Sequence, residues 1–155
     1  MEEKSEIQVT GIEHLGLAPK NPEKASWFFE QALGLPALHQ ELVEAQQVET
    51  LIFGSSQECQ QPDAGRGTSR RKNKLEILKA LGSGGPVSQF LDKRGGGIHH
   101  LALSVRNLPE VIRILKARGV RMIHDTPVPG VEGTEIAFVH PESSGGILIE
   151  LVNEN

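Results

Sequence analysis

At 155 residues the chain is long enough for one ordinary domain, or for two small halves sharing a core, and too short for two large independent domains. Its 37% hydrophobic and 23% charged residues, with a net charge of -4, are those of a soluble globular protein rather than a disordered one and carry no nucleic-acid footprint. No stretch approaches the length of a membrane span, and the acidic opening Met1-Glu2-Glu3-Lys4-Ser5-Glu6 lacks the apolar run of a secretory signal, so the expected location is cytoplasmic.

Residues 7–18 read as a first strand. Their alternation puts His14, Gly16 and Ala18 on one face and leucines on the other, and the leucine face asks for a core. Asn21-Pro22-Glu23 then supplies an N-cap, a proline at the first helical position and an acid near the positive end of the helix dipole. Ala25, Phe28, Phe29, Ala32 and Leu33 recur at helical spacing until Gly34 and Pro36 stop the run, and the stripe reads as core. Residues 38–44 and 47–54 follow as two strands, read as a hairpin.

From 55 to 73 there is no apolar periodicity, and the composition reads as a long, mobile loop. It holds the single cysteine, Cys59, which can form no internal disulfide and has no histidine nearby in sequence. The basic residues Arg66, Arg70, Arg71 and Lys72 in this tract lack aromatic neighbours and read as a solvated surface. Leu75-Glu76-Ile77-Leu78 is a short strand in which a carboxylate interrupts an apolar run, so Glu76 needs a partner or a metal. After Gly82 to Pro86, residues 87–93 suit a short helix, and Gly95-Gly96-Gly97 leads into a second histidine strand.

That strand, Gly97-Ile98-His99-His100-Leu101-Ala102-Leu103-Ser104-Val105, nearly repeats Gly11-Ile12-Glu13-His14-Leu15-Gly16-Leu17-Ala18. Here His100, Ala102 and Ser104 share a face, while His99 falls on the leucine side. Asn107 and Pro109 open another helix whose Val111, Ile112, Ile114 and Leu115 face inward, and Gly119 ends it. Strands are expected at 120–123, 136–139 and 146–152, with a turn-rich loop at 127–133. Within the last strand Glu150 interrupts apolar residues as Glu76 does in its own. His14 to Glu76 spans 62 positions and His100 to Glu150 spans 50, so the first copy carries about 12 extra residues, which the polar tract can hold.

The expected fold is therefore α+β: two paired βαβββ modules, 7–79 and 95–153, forming one curved mixed sheet within a single domain, with His14, Glu76, His100 and Glu150 converging in its hollow. Two imidazoles and two carboxylates suit a divalent transition ion such as Co, Ni, Mn or Zn and leave coordination positions open. Such an ion polarises a carbonyl and acidifies the adjacent C–H. Glu150 can then serve as both ligand and base.

The segments Ser88-Gln89-Phe90-Leu91-Asp92-Lys93-Arg94-Gly95-Gly96-Gly97-Ile98-His99-His100 and His140-Pro141-Glu142-Ser143-Ser144-Gly145-Gly146-Ile147-Leu148-Ile149-Glu150-Leu151 resemble the methylmalonyl-CoA epimerase family, within the vicinal-oxygen-chelate superfamily that also holds glyoxalase I. The resemblance is strong across 75–152, looser before, and excludes the tract at 55–73. It implies His14, Glu76, His100 and Glu150 as metal ligands, with Glu76 where some members have glutamine. A cobalt-type ion, an acyl-CoA thioester substrate, a homodimer and a metal-dependent epimerisation are implied as well.

One departure stands out. The family's second acid sits in a motif read as Val-Pro-Glu-Gln-Gly-Val, and here the segment is Val43-Glu44-Ala45-Gln46-Gln47-Val48, which puts Ala45 where the acid belongs. Glu44 is one position early, and a one-residue shift in a regular strand points a side chain to the other face. A bulge or loop at the strand end would bring Glu44 back as the second catalytic acid. The same four ligands also suit a glyoxalase-I-like lyase, and the lost acid suits a non-catalytic binder of the bleomycin-resistance type.

Overall fold

In the computed structural model, which describes residues 6–54 and 73–154, the chain runs strand–helix–three strands twice. The first repeat is β1 (Val9–Ala18), α1 (Pro22–Trp27), β2 (Ala37–Val43), β3 (Val48–Gly54) and β4 (Lys74–Ala80). Helix α2 (Pro86–Arg94) leads into the second, which is β5 (Gly97–Val105), α3 (Leu108–Ala117), β6 (Val128–Pro129), β7 (Glu135–Val139) and β8 (Ile149–Asn153). Both expected βαβββ repeats are thus present. Cys59, Arg66, Arg70, Arg71 and Lys72, and all of the expected loop except Asn73, lie outside the described residues.

The chain divides into two units: residues 16–99, and the residues up to Leu15 together with those from His100 on. In the first unit β2, β3 and β4 form an antiparallel ladder in which Thr50 lies between Glu41 and Leu78, and Ile52 between His39 and Glu76. Its apolar core joins Ala18, Val48, Leu78 and Val87, with Val43, Ala80, Phe90 and Leu91 against them, so α2 plugs one end of that face. Helix α2 stops at Gly95, whose φ of 73° closes the last turn, and Gly96 follows at φ 116° where an added Cβ would meet the Lys20 backbone nitrogen.

In the second unit β8 lies between β5, to which it is parallel, and β7, to which it is antiparallel. Leu108, Val111 and Ile112 of α3 are buried against Val105, Ala137, Val139 and Leu151, and Ile114 of the same helix is buried as well. Each such side chain contributes about 1.5–3 kcal/mol by leaving water.

Three expectations need correction. The aromatic stripe of the first helix is not core: α1 buries no residue, and at Phe28–Ala32 the chain widens into a π turn closed by Leu33 N–H to Phe28 O at 3.0 Å. The turn leaves Phe28 and Leu33 exposed, while Phe29 packs on Phe53 with ring centroids 6.1 Å apart. On β1 the histidine face, not the leucine face, is the buried one: His14, Gly16 and Ala18 are covered, and Leu15 and Leu17 only half so. Residues 120–123 form no ladder beyond a single bridge from Met122 to Val139, because His124 to Pro127 break the edge before β6 resumes it. Asn107 and Pro109 open α3 as expected, and Asn153 Oδ1 accepts the Leu108 N–H at 3.1 Å. Asn21 does cap α1, accepting the Lys24 N–H at 2.9 Å.

Candidate metal centre

Period-two alternation decides which side chains can meet. His14 on β1 and His100 on β5 share their faces with small residues, and Glu150 on β8 pairs with Ala102 on one side and Phe138 on the other. Small neighbours leave room for the imidazoles. His14, His100 and Glu150 are 5%, 3% and 6% exposed, so these three polar groups are held out of water and must satisfy one another.

They do so at a single point. His14 Nε2 and His100 Nε2 face each other at 2.9 Å, and Glu150 Oε2 lies 3.1 Å from His100 Nε2 and 3.8 Å from His14 Nε2. Donor atoms bound to one ion at about 2.0–2.2 Å stand about 3 Å apart when their bonds meet at right angles, so the set fits a divalent metal. Two nitrogens and a carboxylate oxygen are also the donor chemistry of such an ion. Glu13 holds the other side of His14: its Oε2 is hydrogen-bonded to His14 Nδ1, which fixes the tautomer and leaves Nε2 lone-pair outward. The His100 ring meets Phe138 edge-on at 5.8 Å, and Phe138 meets His124 at 5.8 Å on its far side.

The remaining expected residues fall as follows. Glu76 is 4% exposed on β4, in the 16–99 unit, directly across from Ile52. Glu44 begins the exposed turn Glu44–Gln46 that closes the β2–β3 hairpin. His99 is half-buried and stacks edge-on against Phe90 of α2 at 4.9 Å, apart from the metal-ligating role given to His100. Within the same unit a groove of about 550 Å³ lies under α1, lined by Leu17, Ala25, Phe29, Ile77 and Ile98. Ile77 points away from the face that carries its neighbour Glu76, so this groove is on the other side of the sheet from the acid.

Glu13 and Phe138 went unread in the sequence. Glu13 precedes His14 and by alternation belongs to the opposite face, which hides a carboxylate that bends back onto its neighbour's ring. Phe138 sits in the apolar run Ile136-Ala137-Phe138-Val139, where nothing separates a ring against a ligand from ordinary core.

Three comparisons bear on the site. Residues 13–138 match the Glyoxalase/Bleomycin resistance protein/Dioxygenase superfamily. The chain is similar to the uncharacterized protein YqjC of Bacillus subtilis, 34% identical over 140 residues that cover 90% of this chain and 89% of that one. It is also similar to the mitochondrial methylmalonyl-CoA epimerase of Mus musculus, 28% identical over 90% of this chain and 71% of that one. Among solved structures, a Streptomyces coelicolor methylmalonyl-CoA epimerase in complex with 2-nitronate-propionyl-CoA superposes with a TM-score of 0.81 at 27% identity, covering 95% of this chain and 96% of that one.

Proposed function

Because the chain belongs to the glyoxalase/bleomycin resistance protein/dioxygenase superfamily, we propose that it is a metal-dependent epimerase that moves the α-proton of 2-methylmalonyl-CoA or a closely related acyl-CoA thioester. The observation that carries this reading is the buried convergence of His14 Nε2, His100 Nε2 and Glu150 Oε2, which is donor chemistry without a structural reason to exist dry. The proposed ligand set is His14, Glu76, His100 and Glu150. Glu76 enters it as the buried acid of the first repeat, in the place Glu150 holds in the second. A cobalt-type ion is the proposed occupant, and the proposed assembly is a homodimer.

Bound there, the ion would draw electron density from the thioester carbonyl and stabilise the enolate that follows loss of the α-proton. The chain's own groups do the rest. His14 is held in one tautomer by Glu13, so its Nε2 stays available without reorientation. Glu150, a carboxylate with one oxygen facing His100, has a second oxygen with which to take the proton at C2. Phe138, packed edge-on against the His100 ring and in register with Glu150, excludes water from that side.

The test is proton–deuterium exchange at C2 of methylmalonyl-CoA in deuterated water, followed by NMR, with the purified protein plus cobalt and again with a chelator. Metal-dependent exchange with inversion is expected. No exchange under either condition overturns the reading and favours another substrate or a binder that turns nothing over.

A further inference from the structure

A base that removes a proton next to a carbonyl acts on any acyl group that reaches it, so the choice of substrate falls to whatever stands beside the base. In the unit that holds His14, His100 and Glu150, the row across the sheet through Glu150 reads Ala102, Glu150, Phe138. The acid thus has a methyl group on one side and a phenyl ring on the other. In the next row Ile136 and Val152 are paired and buried, and with Ala102 and Val128 they form an apolar floor on which Phe138 packs.

Phe138 differs from the floor beneath it. In the run Ile136-Ala137-Phe138-Val139 the other three residues are buried, and Phe138, the largest, is only half so, on the face that carries Glu150. Its backbone is held from the edge of the sheet: the Phe138 N–H is donated to His124 Nδ1 at 3.1 Å, and the Phe138 carbonyl accepts the Ile123 N–H at 2.8 Å. With both main-chain groups turned to that edge, Phe138 and Glu150 form a non-hydrogen-bonded pair, the kind in which opposite α-carbons stand about 4.5 Å apart and side chains are closest. A carbon within proton-transfer reach of the Glu150 carboxylate therefore lies against the ring. The His124 ring also packs on the Phe138 ring, 5.8 Å between centroids, so one residue pins both backbone and side chain. The gap in the edge between the Met122 bridge and β6 is what admits a side chain there.

We propose that Phe138 is the specificity-determining residue of this chain, a wall that limits the length of the alkyl branch on C2 of the substrate, and that His124 is its positioning residue. This rests on the epimerase reading above. Of the three heavy substituents on C2 of methylmalonyl-CoA, two carry oxygen and one, the alkyl branch, does not. Only that branch gains by leaving water against an aromatic ring. Methyl is the smallest such branch. Each further methylene pushes on a ring that His100 meets edge-on at 5.8 Å and His124 meets on the far side. A ring clamped from both sides yields little, and an apolar pocket discriminates by about 10- to 200-fold per methylene.

The experiment compares kcat/KM for C2 exchange of methylmalonyl-CoA and propylmalonyl-CoA by the full chain loaded with cobalt, and follows the cobalt absorption spectrum of each variant as a separate readout. The unaltered protein is expected to prefer the methyl substrate by about 100-fold or more. Phe138→Ala is expected to narrow that preference by at least about 10-fold, and Phe138→Leu, which keeps the apolar packing if the smaller side chain does not fold, to narrow it less, both with the cobalt spectrum unchanged. His124→Leu removes the acceptor of the Phe138 N–H and is expected to narrow the preference several-fold, with His124→Asn, which offers an acceptor again, restoring most of it. A purely structural role would lower both substrates alike and leave their ratio where it was. An unaltered protein that takes both substrates equally, a ratio that neither Phe138 variant moves, or a changed cobalt spectrum with equal loss of both substrates would overturn the proposal, and an unmoved ratio in His124→Leu would overturn the part given to His124. If the unaltered protein exchanges neither substrate, the epimerase reading falls and this proposal with it, whereas exchange at an unmoved ratio removes Phe138 alone.

Discussion

The two repeats share an order of elements and differ in how they use it. In the second, α3 buries Leu108, Val111, Ile112 and Ile114, and its N-terminus is held by Asn153 from β8. In the first, α1 buries nothing, passes into a π turn, and leaves Trp27, Phe28 and Leu33 60%, 48% and 56% exposed. The outer histidines differ too. His124 accepts the Phe138 N–H at its Nδ1, so a backbone bond fixes the orientation of its ring. His39 has a carboxylate, Glu41, on its Nε2. The second copy buries the apolar stripe of its helix in a core and the first leaves that of its own helix at the surface, a division that duplicated modules permit because the two need not pack alike.

The sharpest way to break that comparison is to treat the two buried acids as equivalent. On the proposed reading they are not: Glu150 carries the proton and Glu76 only holds the ion. Glu150→Gln is expected to lower C2 exchange about 1,000-fold or more, with cobalt still bound at raised protein and metal concentration. Glu76→Gln keeps an oxygen donor and is expected to weaken metal affinity about 10- to 100-fold, with exchange restored by excess cobalt. Equal losses that no excess metal repairs would erase the distinction between the acids.

A weaker effect separates the helices. Ile112→Ala empties space among Val105, Leu108 and Ala137 and should cost about 2–5 kcal/mol, read from urea midpoints at unchanged slope. Phe28→Ala removes a larger but exposed ring and should cost less than about 1 kcal/mol. A large loss from Phe28→Ala would mean that α1 is covered in solution, as by a second copy of the chain.

How much of this was legible depended on whether period and residue type agreed. His14, His100 and Glu150 could be read because alternation, small neighbours and repetition all pointed at the same positions, and Glu76 because a charge in an apolar strand demands an explanation. The inward face of β2 could not be read: the bulge at Leu38 reverses the face of everything after it, and leucine leaves no mark of a bulge in the sequence. The first helix misled because Phe28 and Phe29 suit a stripe at 3.6 residues per turn, and a π turn changes that period. Residues 120–123 carried strand-forming side chains, but Asp125, Thr126 and Pro127 supply no continuous ladder, and β7 is paired in two pieces instead.

The smallest effect lies in the surface charges, and it reports on the same contrast. Glu23, in the first turn of α1, meets Lys79 of β4 at 2.9 Å, and the hydrogen bond from Lys79 holds the Glu23 carboxyl below its ordinary value while raising that of Lys79. Glu110 and Arg113 form a like pair within α3, and the Arg113 hydrogen bond lowers Glu110 in the same way. A lowered carboxyl stabilises the fold above the unfolded-state value, and that contribution is lost as pH falls through the folded one. For Lys79 the sign is opposite: its contribution is present at neutral pH and lost as pH rises through the raised value. Both pairs lie at the surface, so neither should move the global melting temperature much. Their local effects should diverge. The Glu23–Lys79 pair ties a helix with no buried side chain to the sheet, so Glu23→Gln is expected to speed amide hydrogen exchange across α1 several-fold at neutral pH, with the difference from the unaltered protein vanishing in acid. In Glu110→Gln the four buried side chains still hold α3, and its amides should exchange at the unaltered rate. Equal responses in the two helices would show that α1 is anchored by something other than this pair, and the contrast between the repeats would then rest on chemistry alone.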